Sequence, residues 1–354
     1  MRVLFITRQY PPKKGGMEKV AYELYVYFKK KVDVDLIKWG GTNKWLSLVL
    51  PIFLLKSIFI LLTKKIDVIY LGDGLLAPLG FLLKAFGKKT AITIHALDIT
   101  YKNRLYQYLI PKCVKRLDKV ICISCSTKEE CLKRNIPENK IIMIPDGISD
   151  EFYIQNKNKE ELKNELERKF NVSLKNKKIL LSVGRLVERK GFNWFIGNVL
   201  SPLIKQREDI IYLIAGKGRF REKIEQTIKE NKLENYAKLL GGITDKELKL
   251  LYNSADIFLM PNIPVAGDAE GFGIVILEAA SCELPVIASN LEGIKDAVKD
   301  GENGFLIEPE NAEEFIQTIN KLLESGFGEK ARRFTLENYN WDKISEKYLK
   351  VFYE

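Results

Sequence analysis

Short runs of β-branched and other apolar residues recur along the chain, and most are separated by segments whose apolar positions follow helical spacing. RVLFIT at residues 2–7 reads as a first strand. MEKVAYELYVYFKK follows it, with Val20, Leu24, Tyr27 and Phe28 on one helical face. VDVDLIK, DVIYLG, KTAITIH, KVICIS and KIIMIP continue as strand candidates. This alternation predicts a parallel sheet with helices on both faces. PDGISDEFY at 145–153 breaks the pattern with Pro, Asp and Gly, and a charged helical stretch, KEELKNELERKF, comes next. The alternation then restarts with KILLSVG, IIYLIAG, AKLLGG, DIFLMP, PVIAS and GFLIEP, a second doubly wound unit. Two domains are expected, 1–150 and 151–335, with a border inside 145–175 and an amphipathic helical segment, 336–354, after the second sheet is complete. A chain of 354 residues is also too long for one ordinary core.

One stretch has no polar face. KWLSLVLPIFLLKSIFILLTKK (44–65) holds an apolar run from Leu46 to Leu62, broken by Pro51, Lys56 and two serines. The run is at the short end for a membrane span, and a central lysine costs ~3 kcal/mol on insertion. It also joins two strands of one sheet, where a crossover helix is required. The expectation is a packed crossover helix. The alternative is a helix whose outer face meets a membrane surface, its flanking lysines on anionic headgroups.

Composition is that of a soluble globular protein, 46% hydrophobic and 29% charged. The net charge of +11 is unevenly spread: residues 1–150 hold 26 Lys and Arg against 13 Asp and Glu, and the rest is slightly acidic. Such a field draws anionic partners, whether lipid headgroups or phosphorylated substrates, and otherwise serves solubility. Five cysteines with no framework spacing point to a reducing compartment. Cys122 and Cys125 form a lone CxxC on a buried strand, and with a single histidine in the chain a zinc site is not expected. The apolar run of MRVLFITRQYPP is too short for a signal peptide.

Ligands of doubly wound sheets bind at the carboxyl ends of the strands, and four segments fall there. In TRQYPPKKGGMEKV, Gly15 and Gly16 open the first helix, where bare N–H groups favour anions; a turn needing glycine for geometry alone is the plainer reading. In ITIHALDIT, His95 closes an apolar strand at the mouth of a crevice. In SVGRLVERKGF, Gly184 precedes Arg185 and Lys190, two cations placed to converge on a diphosphate, unless the turn is a solvated loop with Glu188 and Arg189 between them. In NIPVAGDAEGFGIVILEAA, Glu270 stands in a loop before a helix beginning near Gly273, and Glu278 lies one to two turns inside it. A nucleotide ligand over that helix start would give its phosphates to free N–H groups and its hydroxyls to the two carboxylates. Alternatively, the glutamates serve the helix dipole and the solvent.

These four segments, in this order, resemble the retaining glycosyltransferases of family four, and among them the phosphatidylinositol mannosyltransferase branch. GRLVERKG and EGFGIVILEAASCELPVIAS carry the family's Arg–Lys pair and E-x7-E motif. The resemblance implies the GT-B fold, two Rossmann-like domains facing across a cleft, with the last helix crossing back to the N-terminal domain. It implies that the N-terminal domain takes the acceptor and the C-terminal domain the donor. Arg185 and Lys190 would hold the donor diphosphate, Glu270 the sugar hydroxyls and Glu278 the ribose. Gly16 would let the N-terminal loop approach, and His95 would lie near the transferred sugar. The implied donor site also includes Gly184, Gly271, Phe272, Gly273 and Ile274. There are departures: Glu283 where glycine is frequent, Asp296 where Glu is common, and DGIS with Ser149 in place of N-G-V-D.

The expected activity is transfer of a hexosyl unit from GDP-mannose or a UDP-sugar to an acceptor hydroxyl, on a sugar or a lipid-linked sugar, in glycolipid or cell-surface polysaccharide synthesis. Retention follows from the family, with no metal or other cofactor, no nucleic-acid partner, and a cytoplasmic location with peripheral contact to an anionic membrane. Asp33–Val34–Asp35 spells a DxD, but in an early strand of the wrong fold for a metal-dependent transferase. The alternatives are a glycosyl phosphorylase, a nucleotide-sugar epimerase and a non-catalytic nucleotide-sugar-binding protein. A dinucleotide oxidoreductase would need GxGxxG in the first turn, which is missing.

Overall fold

The structure is a computed structural model that describes every residue except Lys14 and Lys157, and all side chains of the rest except that of Asn43. It contains two compact units, Met1–Gly147 with Tyr339–Glu354, and Ile148–Asn338. The chain passes from one unit to the other after Gly147 and again after Asn338, at the end of the helix Gly328–Tyr339.

Unit 1 is a six-stranded parallel sheet of β1 (Arg2–Thr7), β2 (Asp33–Lys38), β3 (Val68–Leu71), β4 (Lys89–Ile94), β5 (Lys119–Cys122) and β6 (Ile141–Met143), in the order β2-β1-β3-β4-β5-β6. Its central strands are buried on both faces, which is why they read as continuous apolar runs rather than alternating ones. Connections between parallel strands are right-handed, so the direction of travel along the sheet decides which face a helix covers. The chain moves one way from β2 through β5, which places the helices Leu46–Thr63, Ala77–Leu83 and Arg104–Arg116 on one face. Their inner side chains share a single core with Leu4, Ile6, Ile69 and Ile92. The step from β1 to β2 runs the other way, so the helix Gly16–Lys31 covers the opposite face.

The last helix, Trp341–Tyr353, packs beside Gly16–Lys31 and completes that face. Phe28 lies 5.8 Å from the Tyr348 ring and 5.6 Å from that of Phe352, and Tyr70 is 5.3 Å from Phe352. Tyr70 Oη shares a 2.7 Å hydrogen bond with Thr93 Oγ1, which removes the cost of burying the phenol.

The apolar helix Leu46–Thr63 is the crossover that the sheet demands. Val49, Phe53, Ser57 and Leu61 are buried at four-residue steps, and Ser57 Oγ donates 2.7 Å back to the carbonyl of Phe53. Asp35 of the DxD is held by Arg2 and Lys64 as part of β2. Cys122 faces Cys131, with 3.7 Å between the sulfurs, and not its CxxC neighbour Cys125, which is exposed.

Unit 2 repeats the architecture with β7 (Lys178–Val183), β8 (Ile210–Ala215), β9 (Ala237–Gly241), β10 (Ile257–Met260), β11 (Val286–Ser289) and β12 (Gly304–Ile307), ordered β12-β11-β10-β7-β8-β9 and wholly parallel. The first strand therefore lies between the later ones, and the order reverses between β7 and β10. Crevices of open α/β sheets form at such reversals. In unit 1 the reversal falls between β1 and β3.

Candidate active site

In unit 2 the loops leaving β7 and β10 are clamped together. The turn Glu188–Lys190 ends at Gly191, whose φ is +64° and whose hypothetical Cβ would lie 1.9 Å from the carbonyl oxygen of Pro261. Only glycine satisfies both conditions. Ile263 N–H donates 3.0 Å to the Arg189 carbonyl across the same junction.

This clamp brings Lys190 and Glu270 together. Lys190 Nζ lies 2.6 Å from Glu270 Oε2, both side chains being largely buried. The Lys190 stem passes Gly184, where a Cβ would meet its Cε at 3.3 Å. Burial pushes the Glu270 carboxyl up, but Lys190 and Arg189 outweigh that and bring it down to about 2. Burial lowers Lys190, against the pull of Glu270, and Arg185 is close enough to lower it further. Arg185 itself is exposed. Glu270 is thus a fixed anion, and Lys190 a cation held in place by it.

Past Glu270 the chain reaches the helix Ile274–Ser281, with Gly273 as N-cap at φ +85°. No side chain caps that helix start, and its first turn has no acid. Phe272 is buried, so its contribution to any ligand is its backbone. Glu278 is not a solvated residue. It is 4% exposed, and its Oε2 accepts 2.9 Å from Tyr252 Oη, whose ring packs on Phe152 and Phe258.

Arg189, which the alternative reading of this turn placed in a solvated loop, is buried. Its Nε lies 3.0 Å from Asp268 Oδ1, and its Nη1 reaches Glu270 Oε2. Asn262 Nδ2 donates to the same oxygen at 3.4 Å, and Glu292 accepts the Glu270 backbone N–H. Arg189, Asp268, Asn262 and Glu292 are four polar neighbours that the motif did not mark.

Unit 1 has a polar cluster at its own reversal. Arg8, just after β1, donates 2.8 Å from Nε to Asp73 Oδ1, just after β3. Asp73 is fully buried, and its Oδ2 has no hydrogen-bond partner among the described residues. Burial pushes its carboxyl up against the pull of Arg8. His95 ends β4 and is 8% exposed; its backbone N–H and that of Gly74 both donate 3.1 Å to Asp98 Oδ2. Arg8 Nη2 is 3.9 Å from Asp98 Oδ1. Gly16 begins its helix exposed, with the Glu18 carboxylate folded back toward Gly15 and paired to Lys13 at 2.9 Å. Among the described residues no three His, Cys, Asp or Glu cluster as a metal site.

The sequence profile described as "Glycosyl transferases group 1" matches residues 163–341, just over half of the chain. The chain belongs to this family. The "Glycosyltransferase Family 4" profile matches residues 14–152. An uncharacterized glycosyltransferase of Methanocaldococcus jannaschii is 29% identical over 99% of this chain and 98% of its own. The GDP-mannose-dependent alpha-(1-6)-phosphatidylinositol monomannoside mannosyltransferase of Mycolicibacterium smegmatis is 23% identical over 96% of this chain and 95% of its own. Among solved structures, Anabaena HepE in complex with UDP matches with a TM-score of 0.77 over 100% of both chains at 17% identity. Sucrose-phosphate synthase from Thermosynechococcus elongatus matches with 0.77 over 99% of this chain and 98% of its own at 19% identity. The fold of this glycosyltransferase is therefore GT-B, each unit being one of its Rossmann-like halves.

Arg189 has the contacts of a positioning residue, because it is buried and pairs with both Asp268 and Glu270. Arg189→Ala is expected to lower kcat about tenfold to a hundredfold, the cost of a side chain displaced by about an ångström, with little change in donor KM. Arg189→Lys should recover only part, since one point charge does not reach both Asp268 and Glu270. Steady-state kinetics that show a pure KM effect would contradict this role.

Proposed function

We propose that this glycosyltransferase moves a hexosyl unit with retention from a nucleoside-diphosphate sugar, GDP-mannose or a UDP-sugar, to an acceptor hydroxyl, and that unit 2 holds the donor. The observation that carries this reading is the buried pair of Lys190 with Glu270 at the strand reversal of unit 2, with Arg185 near Lys190 and an uncapped helix start soon after Glu270 in the chain. That is one fixed anion for sugar hydroxyls and a set of cations and N–H groups for a diphosphate. The names of two similar proteins supply the donor candidates: one relative is GDP-mannose-dependent, and HepE has been seen with UDP-glucose.

In this reading the leaving diphosphate develops its charge against Arg185, Lys190 and the N–H groups of Ile274–Ser281. These groups do the work that a divalent metal does elsewhere, so no metal is required. Glu270 orients the sugar through its hydroxyls and, with its carboxyl near 2, stays ionised throughout. The departing phosphate takes the acceptor proton, and attack on the same face as departure gives retention. Glu278, oriented by Tyr252, binds the ribose diol. Gly184, Gly271, Phe272, Gly273 and Ile274 line the donor with backbone. We assign the acceptor side to unit 1, with Gly16 at its first turn and His95 at its β4 end. Five cysteines, none of them in a disulfide among the described residues, fit a reducing compartment such as the cytoplasm.

A thermal-shift screen against UDP, GDP, ADP, their sugar conjugates and NAD tests this reading. A ligand at a hundred times its dissociation constant adds ~2.7 kcal/mol, about 5 to 10 °C for a domain of this size. One nucleoside diphosphate should give that shift, and Glu278→Ala should reduce it. A shift with NAD alone would contradict the proposal.

A further inference from the structure

Three of the helices on one face of the unit 1 sheet carry apolar side chains on their outer side as well as on the side that meets the sheet. On Leu46–Thr63, the buried side is opposed by Leu48, Ile52, Leu55, Phe59 and Leu62, between 48% and 73% exposed. The helix is long and apolar enough to cross a membrane, yet only 22% of it is buried, and that part serves the core. The neighbouring helices continue the pattern: Phe81 and Leu82 are exposed near the end of Ala77–Leu83, and Leu105, Tyr108 and Leu109 on Arg104–Arg116. Most of the large apolar side chains exposed among the described residues belong to residues 45–109. An apolar face of this extent on a folded domain marks an interaction site.

Charge decides the occupant. Residues 44–65, 74–88 and 102–116 hold eleven Lys and Arg and no Asp or Glu. Lys64 and Lys84 are tied to Asp35 and Asp118. The acids that balance these segments therefore lie outside them. A second copy of the chain would bring the same positive face against this one. A surface that is apolar within and anionic at its rim satisfies both features at once.

We propose that the outer side of these three helices docks on an anionic lipid bilayer, and that the acceptor is an amphiphile held in that bilayer. The acceptor half of this proposal rests on the transferase reading above. The short helix Ala96–Thr100, which His95 caps at the end of β4, exposes Leu97, and Tyr101 follows it, 44% and 57% exposed, so apolar surface also lies beside the unit 1 cluster. An acceptor headgroup lifted slightly from a bilayer would enter there without leaving it.

Flotation of the full-length protein with vesicles of phosphatidylcholine, with and without phosphatidylglycerol, tests this docking. The protein should float with the anionic vesicles, less with neutral ones, and less as salt rises. Leu55→Asp with Phe59→Asp should reduce partitioning by about tenfold or more. Lys56→Glu with Lys112→Glu should reduce it about fivefold per charge. All four positions are on the protein's outside, and an unchanged nucleotide-induced thermal shift in the variants would show that they fold. Absence of flotation on anionic vesicles, or flotation unaffected by the apolar variant, overturns the proposal. So does a solution dimer that the apolar variant converts to monomer, which would make a second copy the occupant. A chain that binds a nucleoside diphosphate but never floats leaves the transferase reading standing and removes this one. Transfer to a water-soluble sugar as efficient as to the same sugar on a lipid would overturn the acceptor half.

Discussion

Lys190→Ala is expected to lower kcat/KM by about a hundredfold to a thousandfold, the usual cost of removing one group that meets developing charge. It should also destabilise the protein by about 3 to 5 kcal/mol, because Glu270 is left buried with one of its two cations gone. The two losses have different causes, and a second variant separates them. Lys190→Ala combined with Glu270→Gln removes the uncompensated charge along with its partner, so stability should largely return while activity does not. Lys190→Arg should not restore activity either, since the stem runs in a buried slot over Gly184 that a planar guanidinium overfills. Acid sensitivity provides an independent check. A carboxyl whose folded pKa is depressed contributes stability above its unfolded pKa, and that contribution is lost as pH falls through the folded value. For Glu270 the window runs from the ordinary glutamate range, ~4.3, down to about 2. Removing Lys190 should shift that loss to higher pH. Urea unfolding between pH 5 and pH 2.5 reads the difference.

Asp146→Asn is expected to stabilise the protein by up to about 3 kcal/mol at pH 8 and by almost nothing at pH 4. Asp146 follows β6 in unit 1, is 6% exposed, and its Oδ1 has no hydrogen-bond partner among the described residues. Burial pushes its carboxyl up to about 6, with His95 pulling the other way. A raised carboxyl acts with the opposite sign to Glu270: its cost is fully present above the folded pKa and disappears as pH falls to the unfolded value. Asparagine keeps the shape and has no charge to bury, so the gain should track the ionisation of Asp146. Chemical unfolding at the two pH values decides the matter; a gain of equal size at both would mean that packing and not charge is responsible.

The twelve strands were readable because most are short apolar runs of three to six residues, several ended by glycine or proline, all of it local. The pairing of Lys190 with Glu270 was partly readable, since both stand at strand ends. Their contact depends on β7 lying beside β10, which no local pattern contains. Arg189 was unreadable for the same reason: in the sequence it is one charge among four in a polar turn, and only the loop after β10 buries it. Arg8, Asp73 and Asp98 lie 65 and 25 residues apart and meet only because β1, β3 and β4 are neighbours. The helix Leu46–Thr63 posed a different difficulty. It is apolar all round, so periodicity could not say which side faces the sheet, and the expected crossover role and the exposed outer face are both present in the structure. Glu283, a departure from the family's glycine, sits at φ +62°, the conformation in which glycine is at ease, and its Oε1 accepts 2.8 Å from Tyr153 Oη.

The central claim is retaining transfer from a nucleotide sugar, driven by charge stabilisation at Lys190 and Arg185. The most direct test is proton NMR of the anomeric signal as product forms, using the sugar conjugate of whichever nucleoside diphosphate binds. The account predicts a new glycosidic proton with the donor's own anomeric configuration, one nucleoside diphosphate released per bond, and loss of both signals in Lys190→Ala. An inverted anomer, or no nucleoside diphosphate released from any donor by the folded full-length protein with a lipid-linked acceptor present, would contradict it.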